Sequence, residues 1–150
     1  MCSRRFLLDV MMGKLVTYLR MCGYDAAYAL DRDIEADERL LDIACAEQRT
    51  LVTRDRHLAG SAPDSLLVES TDVRAQLREL AAAGVSLRLA ETPTRCGRCN
   101  GPLDAVSPAE PTPEYAPDPT AMAVWQCRDC GQYFWKGSHW EDVETTLADV

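Results

Sequence analysis

The chain has 150 residues, 47% hydrophobic and 27% charged, with 24 acids against 16 bases and a net charge of −8. That length builds one modest core, or a core of roughly 100 residues with a metal-stapled appendage, and excludes three independent units. No apolar run approaches the ~18 residues of a membrane span, and the acidity excludes a simple basic nucleic-acid-binding domain, because phosphate backbones attract Lys and Arg.

The opening segment turns charged too soon for a secretory signal, so a cytoplasmic protein is expected. Residues 5–9, Arg-Phe-Leu-Leu-Asp, read as a short buried strand ending on an acid. Gly13 then opens a helix in which Leu15, Leu19 and Cys22 keep helical spacing, and Gly23 closes it. Residues 26–30 form a weaker second strand. A second helix starts at about Asp37, with Leu40, Leu41, Ala44 and Cys45 on one face. Thr50-Leu51-Val52-Thr53 is a third strand that runs into Arg54-Asp55. After the turn-like residues 60–64 comes a fourth strand, Leu66-Leu67-Val68-Glu69. Ser70, Thr71 or Asp72 caps a third helix whose Val73, Leu77 and Leu80 face the sheet, and Gly84 ends it.

Strands alternating with helices imply a parallel sheet, so residues 1–92 are expected to form a small α/β domain. Residues 91–94 read as a linker, and residues 93–150 as a zinc ribbon with a C-terminal helix. Within the second part, residues 107–119 hold five of the eight prolines and should form an extended loop. Residues 125–127 and 132–135 look like hairpin strands, followed by a short helix that Ser138 caps. Six of the ten aromatics, Tyr115, Trp125, Tyr133, Phe134, Trp135 and Trp140, fall here. Base stacking would suit them, but most read as the small domain's core, with Trp135 and Trp140 the better surface candidates.

Cys96-Gly-Arg-Cys99 and Cys127-Arg-Asp-Cys130 are matching knuckles. Two intervening residues let each pair of sulfurs converge on one ion, and zinc suits four thiolates in a closed structural site; rubredoxin-like iron is the rival. A unit of this size buries too little apolar area to fold alone, so the metal should supply much of its folding free energy. The other cysteines, Cys2, Cys22 and Cys45, read as inert packing residues.

Asp9 after the first strand, Asp37 at the start of the second helix and Asp55 after the third strand are far apart in sequence, yet the topology can bring them to one edge of the sheet. Ligands in such sheets bind at the carboxyl ends of the strands. Clustered carboxylates there would suit Mg²⁺ or Mn²⁺, hard cations that take oxygen ligands and bridge to phosphates. Taken singly, each acid also has a plainer role, Asp37 and Asp72 as helix caps; Glu38 and Asp72 are reserve ligands. Of the 16 bases, 14 are Arg and two are Lys, a bias that suits work in high salt, where screening weakens the repulsion between an acidic surface and an anionic ligand.

The stretch from Phe6 through Asp9, Lys14 and Arg20 to Asp25 resembles the opening of the PIN-like ribonuclease domain named after the carboxyl-terminal part of the mut-seven exonuclease. Asp37-Glu-Arg-Leu-Leu-Asp-Ile-Ala44 and Thr50-Leu-Val-Thr-Arg54-Asp55 resemble that family's second acidic helix and its strand-end Thr-Arg-Asp motif. The four-cysteine ribbon and Trp135-Lys136-Gly137-Ser138-His139-Trp140 are similar to its C-terminal extension. The resemblance covers nearly the whole chain. It implies a Rossmann-like PIN fold and a metal-dependent ribonuclease, with Asp9, Asp37 and Asp55 as catalytic acids and RNA as substrate. Lys14, Arg54 and Lys136 would then meet phosphate or RNA. The chain departs from a fuller PIN site in having no clear fourth acid. His139 reads as an ordinary loop residue, and His57, two residues past Asp55, as a weak candidate for touching substrate. Two other readings stand beside the hydrolase: an RNA- or protein-binding adaptor with a degenerate site, and a receiver-like phospho-acceptor built on Asp9, Asp55 and Ser70 or Thr71. A homodimer or an RNA-processing partner is compatible with each.

Overall fold

The computed structural model describes residues 4–150. Strands β1 (Arg5–Leu8), β2 (Asp25–Tyr28), β3 (Thr50–Thr53) and β4 (Ser65–Leu67) form one parallel sheet in the order β2-β1-β3-β4. Between and after them lie helices α1 (Gly13–Met21), α2 (Asp37–Ala46), α3 (Arg56–Ser61) and α4 (Val73–Ala82). The pleat sorts the strand side chains to two faces. Phe6, Leu8, Ala26, Tyr28 and Val52 meet Leu15, Val16 and Leu19 of α1 and Leu77 and Leu80 of α4. Leu7, Ala27 and Leu51 meet Leu40 and Ala44 of α2 and Leu58 of α3. Because both faces are covered, the strands read as unbroken apolar runs. The two central strands, β1 and β3, thus end side by side.

The helix boundaries have local causes. Gly23, at φ 92°, ends α1 in a Schellman turn: its N–H bonds Arg20 O at 2.9 Å and that of Tyr24 bonds Leu19 O at 3.1 Å. Asp72 caps α4, its carboxylate accepting the Ala75 N–H at 3.1 Å. Helix α3 fills residues 56–59, to which the sequence assigned no element, and takes in Gly60 and Ser61 of the turn-like stretch; β4 starts one residue early at Ser65 and ends at Leu67 rather than Glu69. Residue 30, expected to end the second strand, instead begins a single 3-10 turn, Leu30–Arg32. Cys45 corrects the expectation of a packing thiol: Leu40 and Ala44 define the buried stripe of α2, and the next residue is rotated about 100° past it into solvent. Cys22 is half-buried, and burial pushes its thiol up to about 12. Cys2 lies outside the described residues.

The C-terminal part holds an antiparallel sheet of β5 (Leu103–Ala105), β6 (Val124–Cys127) and β7 (Tyr133–Trp135), then α5 (Ser138–Ala148). Ser138 is the first helical residue rather than the cap; Gly137 precedes it with no side-chain cap bond. Leu147 and the final Val150 pack back against the core formed by α1 and α4, and Arg74 pairs with Asp149 at 3.1 Å. Among the described residues no helix is long and apolar enough to cross a membrane.

The ribbon is fastened to the outer edge of β2. Asn100, at φ 72°, accepts the Ala26 N–H at 3.0 Å and donates to Asp25 Oδ1 at 2.7 Å. The buried Arg20 donates to Ala26 O at 2.9 Å and to Gly97 O at 3.1 Å. Both outward-facing backbone groups of Ala26 on this edge strand are thereby occupied. Asp25 also takes a 2.8 Å bond from Arg49, with Arg95 at 3.7 Å. Burial acts to raise this carboxyl, but the Arg49 and Asn100 hydrogen bonds and the charges of Arg49 and Arg95 prevail and hold it at about 2.

That depression fixes a pH dependence. The folded value lies below the ordinary 3.8, so the stabilisation is complete above that value and is lost as pH falls towards about 2. Acid denaturation should show this loss, on the order of 1–2 kcal/mol after allowance for solvent screening. Asp25→Asn should flatten the fall; an unchanged acid profile in the variant would refute the assignment.

Candidate active site and metal centre

Asp9 and Asp55 follow the adjacent carboxyl ends of β1 and β3 and are linked through Thr53, the first residue of the Thr-Arg-Asp motif, to which the sequence alone assigned no role. Leu8 lies opposite Val52 in the ladder, and the Asp9 N–H still bonds Val52 O at 3.0 Å, so Asp9 comes beside Thr53. Thr53 is fully buried. Its hydroxyl donates to Asp9 Oδ2 at 2.8 Å and accepts the Asp55 N–H at 3.1 Å. Asp9 Oδ1 takes the Val10 N–H at 2.8 Å. Asp55 is the N-cap of α3, and both backbone donors, His57 at 2.9 Å and Leu58 at 3.2 Å, go to its Oδ1. The cap therefore leaves Oδ2 outside those bonds. A Thr two residues before a strand-end Asp, opposite another strand-end Asp, is the signal by which Thr53 could have been found.

Asp37 is the first residue of α2, with Ala36 at the cap position and no side-chain cap bond. It is exposed and so not consumed in capping, as is Glu38 beside it. Both suit the positive end of the helix dipole. Since α2 returns from the β2 end of the sheet to the start of β3, Asp37 lies on the same edge as Asp9 and Asp55. Among the described residues, however, only the four cysteines form a group of three or more ligand side chains with all ligand atoms within 4.8 Å of one another. The three acids share an edge without meeting at that distance. Asp72 spends one oxygen on the α4 cap. It lines an open crevice of about 450 Å³ between the starts of α1 and α4, together with Lys14, Met11, Tyr28 and Gln76. Lys14 and Arg54 are both exposed. His57 is exposed in the first turn of α3, and His139, expected in a loop, is exposed in the first turn of α5.

The cysteine centre is compact. Cys96 and Cys130 sulfurs lie 3.7 Å apart and those of Cys99 and Cys127 3.4 Å. Four sulfurs at ~2.3 Å from a tetrahedral zinc would stand ~3.8 Å from one another. Burial raises the Cys96 and Cys99 thiols. At Cys127 burial acts upward too, but the N–H groups of Cys130 and Asp129, each 3.4 Å from its sulfur, outweigh it and lower the thiol. Four cysteines so placed, with backbone donors aimed at sulfur, could hold a metal such as zinc. Gly101 makes room for them: a Cβ there would sit 2.7 Å from Asp129 Oδ2 and 2.8 Å from Cys127 Sγ.

The ribbon's aromatics are not a closed core. Tyr115 is exposed, and Trp125, Tyr133, Phe134, Trp135 and Trp140 are all half-buried. Lys136 donates to Glu91 O, and its ammonium lies 5.2 Å from the Trp140 ring centre.

A family model described as the Mut7-C RNAse domain matches residues 4–147. No curated protein and no solved structure matches the chain.

Proposed function

The chain belongs to the Mut7-C RNase domain family, matched over all but its outermost residues, and on that premise we propose that it hydrolyses RNA phosphodiester bonds at the edge where β1 and β3 end. The observation that carries this reading is the Asp9–Thr53–Asp55 arrangement, in which one buried hydroxyl at the centre of a parallel sheet binds the Asp9 carboxylate and the backbone N–H of Asp55. The donor set fits Mg²⁺ or Mn²⁺: both residues offer hard oxygen, and Mg²⁺ is commonly bound through one or two carboxylates, several waters and the substrate's own phosphate. Asp9 and Asp55 would hold the ion, with Asp37 a third acid on the same edge. Such an ion neutralises charge on the scissile phosphate and lowers the pKa of the attacking water.

The chain's own residues do the rest. Thr53 fixes the rotamer of Asp9, and the α3 cap fixes that of Asp55. Lys14, at the rim of the crevice, and Arg54, between Thr53 and Asp55, would meet phosphate oxygens. The cysteine centre is proposed as a structural zinc site, since four protein sulfurs leave no position open for substrate.

One observation favours a second reading, an RNA- or protein-binding adaptor without turnover: the three acids do not draw together within 4.8 Å. An assay on single-stranded RNA separates the two. Zinc-loaded protein should cleave when Mn²⁺ or Mg²⁺ is added and be inert when it is left out. Binding without cleavage at every metal concentration would favour the adaptor, and cleavage without added metal would overturn the metal assignment.

A further inference from the structure

A cavity of about 270 Å³ lies where α1 meets the ribbon. Phe134, Trp135 and Trp140 line it from the ribbon side, and Arg20, Arg95 and Arg98 from α1 and the first knuckle. Small-molecule pockets run from about 300 Å³ upward, so this one is sized for a single ring system rather than a large ligand. Half-buried indoles beside guanidinium groups are what an unstacked base and its phosphate require: the π-face of any base stacks on an aromatic, and arginine supplies the charge.

The charge is unevenly compensated. Arg20 lies 3.7 Å from Asp31, and Arg95 lies 3.7 Å from Asp25. Arg98 donates to the neutral Gln132 at 3.1 Å, and among the described residues no carboxylate pairs with it. Lys136, over the Trp140 ring, adds a further cation beside the cavity. A protein of net charge −8 needs such a local basic patch to hold a polyanion at all.

We propose that this cavity is a subsite for one unpaired nucleotide of an RNA strand, its base stacked against Trp135 and Trp140 and its phosphate met by Arg95 and Arg98. The inference rests on the reading of RNA as substrate. It gives the ribbon a direct part in binding, at a point separate from the strand-end acids. Helix α1 connects the two places: its first turn opens at the crevice with Gly13 and Lys14, and its later turns present Thr17, Arg20 and Met21 to the cavity. From Gly13 to Met21 the axis rises ~12 Å, a span a few nucleotides cover. The strand therefore runs along α1 from the cleavage edge to the ribbon.

Fluorescence anisotropy with a labelled eight-nucleotide single-stranded RNA, on the full zinc-loaded chain without added Mg²⁺ or Mn²⁺, reads this subsite apart from cleavage. Trp140→Leu should weaken binding about tenfold, within the range of base–aromatic stacking. Arg98→Ala, at an exposed position, should weaken it and reduce the salt slope by roughly 0.7. Gly137→Ala should act in the same direction, because a Cβ there lies 2.6 Å from Trp135 Nε1 and must displace the indole. Should Trp140→Leu fail to fold, Arg98→Ala decides. Wild-type binding that is unchanged in Arg98→Ala and in every folded aromatic variant overturns the subsite while leaving the hydrolase reading in place. Loss of binding in these variants, in a protein that never cleaves RNA, supports the subsite and overturns the hydrolase. No binding by the wild type overturns the subsite.

Discussion

Asp9→Asn and Asp55→Asn, each made singly, should reduce metal-dependent RNA cleavage on the order of 10³-fold or more, as expected when a ligand of a catalytic ion loses its charge. Asparagine is the informative replacement because it isolates charge from architecture. At position 55 the side chain caps α3 through Oδ1, and Asn caps as well as Asp. The fold should persist while the anion disappears. Alanine would confound the result, since it removes the cap at a cost of about 1 kcal/mol. At position 9 the single amide oxygen can still accept the Thr53 hydroxyl, while the N–H of the exposed Val10 exchanges its carboxylate partner for water. Thr53→Val tests the positioning role separately: it keeps the buried shape but deletes both the bond to Asp9 and the acceptor of the Asp55 N–H. Its expected cost is about 10–100-fold, in the range of outer-shell partners of metal ligands. That loss should appear chiefly as a higher Mn²⁺ concentration for half-maximal rate. Equal activity in wild type, Asp9→Asn and Asp55→Asn would remove the strand-end site from consideration.

What the sequence makes legible follows from the range of each interaction. Phe6-Leu7-Leu8 and Leu51-Val52 declare themselves as buried strands because both of their faces are covered, and the acids that follow mark where the strands leave the sheet. Helix α3 is hard to see because its six residues give no period to detect. Its one signal, Asp55 as a cap, is masked by the more conspicuous reading of the same carboxylate as a metal ligand. The two roles are compatible, because the cap uses one oxygen. Strand β5, Leu103–Ala105, is too short to alternate and acquires its identity only from pairing with β6. The bond of Asn100 to Ala26 joins residues 74 positions apart, and no local pattern encodes it. Cys45 misleads for a simpler reason: a small apolar residue next to Ala44 extends the apparent stripe by one position that the helix turns outward.

Removal of metal from the cysteine centre, by chelation or by Cys96→Ser, should unfold the ribbon and destabilise the α/β part with it. Structural zinc contributes ~10–16 kcal/mol of apparent binding free energy in small domains. The ribbon's three short strands and half-buried aromatics offer little apolar burial to replace it. The effect reaches the parallel sheet because the first knuckle is what covers β2. Without metal, Asn100 no longer holds its turn, the Ala26 N–H loses its acceptor, and the buried Arg20 loses Gly97 O. A buried group left without its partner costs about 1–3 kcal/mol, more when it is charged, so the loss is felt beyond the ribbon. Helix α5 should stay attached longer, since Leu147 packs on the core of the α/β part. Thermal melting should therefore show a large fall in midpoint on chelation, and hydrogen exchange should show the Ala26 amide opening with the ribbon rather than with Leu7 or Leu51. Gly101→Ala should reproduce the trend more mildly, because its methyl group intrudes on Cys127 Sγ and Asp129 without deleting a ligand. A midpoint indifferent to chelation, with Ala26 still protected, would mean that the ribbon folds on its own packing and that the metal is not what fastens it to the sheet.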